Sequence, residues 1–171
     1  MNREKRISSR SGTMNPLTNL IRNNTADFIN KKYKLTLSEN FEAFMAEMKV
    51  SAFVNTCGKI IKPILKISCV NDVYSMKTSL LLRTTVIQFK LGQEFIEERA
   101  DGRRCISVIT IKDNIMTHIM KGEPECTVIR EFNGDEMIAT MTVNNVVAKR
   151  IYKTSEATNN KKGQPLRSIP I

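Results

Sequence analysis

Apolar residues recur along this chain at two different periods, and the switch between them organises the reading. Lys31-Lys32-Tyr33-Lys34-Leu35-Thr36-Leu37 alternates polar and apolar positions, the period-two pattern of a half-buried strand. Directly afterwards Phe41, Phe44, Met45 and Met48 fall at helical spacing, with Ser38 as the candidate N-cap. A second short helix is predicted from Ala52 to Ile61, where Pro63 stops it. Beyond Pro63 the helical period is lost. Short strand-like runs follow, separated by Asn71-Asp72, Leu91-Gly92, Asp101-Gly102, Asp113-Asn114, Gly122-Glu123-Pro124, Asn133-Gly134 and Asn144-Asn145. Evenly spaced short strands with tight turns predict an antiparallel sandwich or barrel. Ten strands are expected, with one helical hairpin between the first and the second. No internal repeat is present.

The same alternation singles out three polar residues. In Val146-Val147-Ala148-Lys149-Arg150-Ile151-Tyr152, side chains two apart share a face. Val147, Lys149 and Ile151 take one face; Ala148, Arg150 and Tyr152 take the other. In Thr127-Val128-Ile129-Arg130-Glu131-Phe132, Arg130 shares its face with the apolar Val128 and Phe132. Burying arginine is costly unless it is paired, and a guanidinium grips a carboxylate with two parallel hydrogen bonds. Two guanidinium groups and a phenol aimed inward suggest a pocket for a carboxylate. The competing reading is an arginine that pairs with an internal acid or faces solvent.

Composition narrows the class. The chain has 171 residues, 41% hydrophobic and 26% charged, which suits one domain able to bury a core. No apolar run approaches the ~20 residues that span a bilayer, and the polar start is not a secretory signal. Cytoplasmic residence is the expectation. Cys57, Cys69, Cys105 and Cys126 match no zinc spacing, so reduced thiols are expected and no metal site. The formal net charge of +10 raises the possibility of nucleic acid or anionic membrane. Residues 1–25 contribute +4 and residues 154–171 contribute +2, and both stretches are polar. They read as a basic disordered N-terminal extension and a disordered tail around a folded unit at 26–153.

Catalytic patterns are missing. His118 stands in a strand without a nucleophile partner and reads as a polar wall residue. There is no GxSxG turn, Walker loop or GxGxxG. Glu97 and Glu98 alternate across a strand and so do not form a carboxylate pair. Neither an enzyme nor a cofactor is expected.

Several segments, in order, resemble the intracellular lipid-binding proteins. They are Tyr33-Lys34-Leu35, Ser38-Glu39-Asn40-Phe41, Lys62-Pro63, Phe89-Lys90-Leu91-Gly92-Gln93-Glu94-Phe95, Ala100-Asp101-Gly102-Arg103 and Arg150-Ile151-Tyr152. The likeness is nearest to fatty-acid-binding proteins of the heart, adipocyte and myelin branch, and residues 127–132 resemble invertebrate members. It implies a mainly β fold, a ten-stranded antiparallel up-and-down β-barrel (β-clam) capped by a helix-turn-helix. It also implies that Arg130, Arg150 and Tyr152 hold a ligand carboxylate. Phe41, Met45, Val50, Phe53 and Leu82 match lid and portal positions, and Leu65, Met76, Thr78, Ala139 and Met141 match the cavity wall. Either set could equally be ordinary packing. Departures include Tyr33 for the usual tryptophan, Asn30 for a glycine, Leu82 for a portal phenylalanine, and Ala46, Asn55 and Thr56 for basic lid residues. The turn at Gly122-Glu123-Pro124 is one residue short.

The resulting expectation is a monomeric carrier of long-chain fatty acids, in transient contact with anionic membranes and with no stable nucleic-acid partner. Retinoic acid is the alternative ligand for the same fold. A basic nucleic-acid-binding module acting through the tails is the alternative from another class.

Overall fold

In the computed structural model, residues 27–50, 62–81, 83–99 and 102–155 are described. They form β1 (Lys32–Glu39), α1 (Phe41–Glu47), β2 (Ile64–Val70), β3 (Val73–Ser79), β4 (Thr84–Phe89), β5 (Glu94–Glu98), β6 (Arg104–Lys112), β7 (Ile115–Lys121), β8 (Cys126–Asn133), β9 (Glu136–Val143) and β10 (Val146–Thr154). The strands make one antiparallel sheet in the order β4-β3-β2-β1-β10-β9-β8-β7-β6-β5. That is the expected ten-stranded up-and-down barrel, nearly closed. Between β4 and β5 no ladder is made. Among the described residues no helix is long and apolar enough to cross a membrane.

Period-two patterning drives this arrangement. Along β10 Ala148, Arg150, Tyr152 and Thr154 are buried, while Val147, Lys149 and Lys153 are exposed. Along β8 Cys126, Val128 and Phe132 are buried and Ile129 faces water. A slip of one residue would exchange these faces, so the apolar positions fix the register. Turns bring in left-handed residues where the chain reverses: Asn71 and Asp72 have φ of 50° and 61°, the backbone that joins two twisted strands tightly.

One end of the barrel is closed by aromatic rings. Phe28, 1% exposed, stacks on Phe132 at 4.0 Å, and Tyr33 tilts against Phe132 at 5.6 Å. The Tyr33 hydroxyl donates to the Gly134 carbonyl at 3.1 Å. Burial, reinforced by Asp27 and Asp135, pushes this phenol up to about 12, so it stays protonated and keeps its donor. Asn30 takes a left-handed backbone (φ 66°) and donates its N–H to Ile67 O at 2.7 Å.

Three details correct the sequence reading. Ser38 is not a cap; it pairs with Arg150 inside β1, and a bulge between Leu35 and Leu37 carries the strand on to Glu39. Asn40 starts the helix instead, with φ 53° and no side-chain cap; its Nδ2 donates to Val147 O at 2.7 Å. The turn between β8 and β9 is Gly134-Asp135, one step beyond Asn133-Gly134, because Asn133 pairs with Glu136. The expected second helix, with Phe53, lies outside the described residues, as do Leu82, Cys57, Asp101 and residues 1–25 and 156–171, whereas Thr154, read above as part of the tail, is the buried last residue of β10.

The candidate ligand cavity

Inside the barrel, below α1, lies a cavity of about 440 Å³. That is within the range of about 300–1,000 Å³ usual for small-molecule sites. Most of its wall is apolar: Phe41, Phe44, Met45 and Val50 from the lid side, with Leu65, Met76, Ile87, Met120, Val128, Ala139 and Met141 from the strands. Thr78 also lines it. Thus every expected lid and wall residue that is described borders this space.

Arg130, Arg150 and Tyr152 meet on the same wall. Register explains it: Arg130 and Arg150 both pair with Ala139, one from each side of β9, and the small alanine leaves room between them. The Arg150 guanidinium carbon lies 4.0 Å from the centre of the Phe41 ring and 5.9 Å from that of Tyr152. These contacts offset part of the cost of burying a cation. Arg150 Nε and Arg130 Nη1 are shut away from water without a hydrogen-bond partner. Neither guanidinium makes an ion pair among the described residues. Burial works against the charge of both arginines; Tyr152 opposes this at each, and Glu97 and Cys126 also do so at Arg130. Arg130 is half-buried and borders the cavity.

A second polar group on this wall escaped the sequence reading. Glu97 (8% exposed), Ser107 and His118 are buried together. Glu97 Oε1 accepts from Ser107 Oγ at 2.7 Å and meets His118 Nε2 at 2.9 Å. Burial pushes the Glu97 carboxyl up, but hydrogen bonds from His118 and Ser107, with the charge of Arg130, hold it below its ordinary value. Burial also lowers His118, and Arg130 adds to that; the Glu97 contact only partly offsets them. The pair is therefore a carboxylate and a neutral imidazole. His118 does stand on the wall as expected, but with an unforeseen partner. Strand alternation carries the missed signal: Phe95, Glu97 and Arg99 share a face, and Phe95 belongs to the core side.

Arg99 is the other missed residue. It is 6% exposed and lines the cavity near the end of α1. Its Nη1 donates to Pro124 O at 3.1 Å and its Nη2 lies 3.6 Å from Met48 Sδ. Arg103 Nη2 donates to Met48 O at 2.6 Å, so two arginines tie the helix C-terminus to the β5–β6 and β7–β8 connections. Cys126 lines the cavity as well, and burial drives its thiol up to about 11, which leaves it protonated and unreactive. Among the described residues Cys69, Cys105 and Cys126 form no disulfide.

Residues 31–155 match the model of the Lipocalin / cytosolic fatty-acid binding protein family. The chain belongs to that family. A fatty acid-binding protein of Tyrophagus putrescentiae is 38% identical over 126 residues, covering 73% of this chain and 96% of that relative. Among solved family structures, the fatty acid-binding protein from Drosophila melanogaster brain is 40% identical with a TM-score of 0.72, covering 74% of this chain and 98% of that one. A Schistosoma mansoni fatty acid-binding protein in complex with arachidonic acid is 31% identical with a TM-score of 0.73, covering 77% and 98%.

Proposed function

We propose that this protein binds a long-chain fatty acid non-covalently in the barrel cavity and carries it, without catalysing a reaction on it. The observation that carries the reading is a pair of guanidiniums on the wall of a mostly apolar cavity, each with a buried donor left without a partner. An amphiphile with one carboxylate and a long alkyl chain is complementary to both parts. Its carboxylate meets Arg130, Arg150 and the Tyr152 hydroxyl; its chain lies along Leu65, Met76, Ala139 and Met141, beneath Phe41, Met45 and Val50. Burying ~14 methylenes at ~0.8 kcal/mol each gives roughly 11 kcal/mol before ordering costs. The chain then supplies most of the affinity, and the arginines select the head group. Fatty acid-binding relatives, one of them solved with arachidonic acid, support this assignment.

The test is Arg150→Gln, titrated with a fatty acid and with the alcohol of equal chain length. Loss of a charge-assisted hydrogen bond of ~1.5–3 kcal/mol should weaken the acid roughly tenfold to a hundredfold and the alcohol much less. Equal loss for both ligands counts against a direct carboxylate contact. Retinoic acid in the same titration measures how far the cavity tolerates a rigid acid.

A further inference from the structure

His118 is 3% exposed, borders the cavity, and its Nδ1 has no hydrogen-bond partner. Its other ring nitrogen is committed. Glu97 Oε1 already accepts from Ser107, and an ionised carboxylate can only accept, so His118 must present Nε2–H to it. Nδ1 is then a bare lone pair, an acceptor held in place by Glu97 on one side and by Phe95, whose ring stacks at 6.3 Å, on the other. An unmet buried acceptor carries a cost, and a donor relieves it. The hydrocarbon chain of an unsubstituted fatty acid has no such donor.

We infer that the cavity has a second polar subsite, His118 Nδ1, that takes the chain hydroxyl of an oxygenated fatty acid. This rests on the carrier reading above and names its ligand class. Geometry sets where the hydroxyl belongs. His118 pairs with Val128, and Arg130 is the next inward residue of that strand. Diagonal neighbours of this kind are ~7–8 Å apart at their backbones. A carboxylate on Arg130 and Arg150 therefore puts the matching hydroxyl in the carboxyl-side half of the chain.

The experiment titrates the full chain with stearic acid and with a series of hydroxystearic acids whose single hydroxyl moves along the chain. One or two positions in the carboxyl-side half should bind about tenfold more tightly than stearic acid. In Glu97→Gln/His118→Phe, which avoids stranding a buried carboxylate, that positional preference should vanish. His118 is the chain's single histidine, so a label on histidine reports one ring. NMR of wild-type protein should show the Nδ1 signal move with the favoured hydroxy acid and stay in place with stearic acid, a readout independent of whether the double variant folds. A flat series, a preference that survives the double variant, or an Nδ1 signal indifferent to the hydroxyl overturns the inference while leaving fatty-acid binding standing. Failure of every acid to bind overturns the carrier reading and this inference with it.

Discussion

At the scale of single residues, the buried polar groups set the response to acid. Glu97 and His118 both titrate below their ordinary values in the folded chain. Between the folded and unfolded values the unfolded chain binds more protons, so stability rises with pH there. Stability should therefore begin to fall below about pH 6.5, as His118 becomes protonated in the unfolded state. It should fall further below about pH 4.3, where Glu97 follows. Urea melts across that range measure it, and a midpoint unchanged between about pH 8 and about pH 5 would contradict the His118 assignment. Gly122 gives a second prediction. A Cβ there would meet Arg99 Nη1 at 3.0 Å, and Arg99 is held by Pro124 O. Gly→Ala alone gains ~0.4–1 kcal/mol from the unfolded state, less than the ~1.5–3 kcal/mol of a charged hydrogen bond. Gly122→Ala should thus destabilise by about 1 kcal/mol in the same melts.

At the scale of elements, the strands were legible and the helix start was not. Tyr33-Lys34-Leu35 and Ala148-Arg150-Tyr152 alternate clearly because one face packs and the other is wet. Ser38 misled because a polar residue before an apolar helical stripe resembles a cap, whereas the β1 bulge kept it in the ladder. The arginines on β8 and β10 stood out by their apolar face partners. Glu97 and Arg99 did not, since charged residues near the end of a short strand ordinarily face water. What pulled them inward was each other's neighbourhood: Ser107, His118 and the Pro124 carbonyl lie on segments distant in sequence. At seven residues, α1 is too short to persist alone and relies on packing of Phe44 and Met45. Its left-handed Asn40 donates to Val147 O at 2.7 Å. Asn40→Ala should cost about 2 kcal/mol, from the strained backbone and the lost bond, and Asn40→Gly about half that. Equal costs would mean the backbone angle plays no part.

At the scale of the whole molecule, charge bears on delivery. Lys49 and Lys62 are exposed beside the lid, and residues 1–25, outside the described residues, add Arg3, Lys5, Arg6 and Arg10. Each cation near an anionic leaflet is worth ~1 kcal/mol, screened beyond ~10 Å at 0.1 M salt. Transfer of a fluorescent fatty acid should be faster to anionic than to neutral vesicles, with the gap narrowing as salt rises. Deleting residues 1–25 should shrink the gap and leave ligand affinity unchanged. Rates indifferent to vesicle charge in both proteins would mean that ligand leaves through water.

The sheet order has a consequence for chain connectivity. The first and last strands are neighbours, Tyr33 opposite Thr154, while the consecutive strands β4 and β5 share no ladder. The covalent link through Leu91-Gly92 therefore crosses the single seam between described strands where no strand ladder would be lost, and the bond across it is the turn's own, Gln93 N–H to Lys90 O at 3.2 Å. A circular permutant that joins Ser155 to Asp27 through a short flexible linker, so that Phe28 and Asn30 stay in place, and opens the chain at that turn keeps every ladder. It should fold and bind the same ligands. Opening instead between β8 and β9, across one of the longest ladders, should be far less well tolerated.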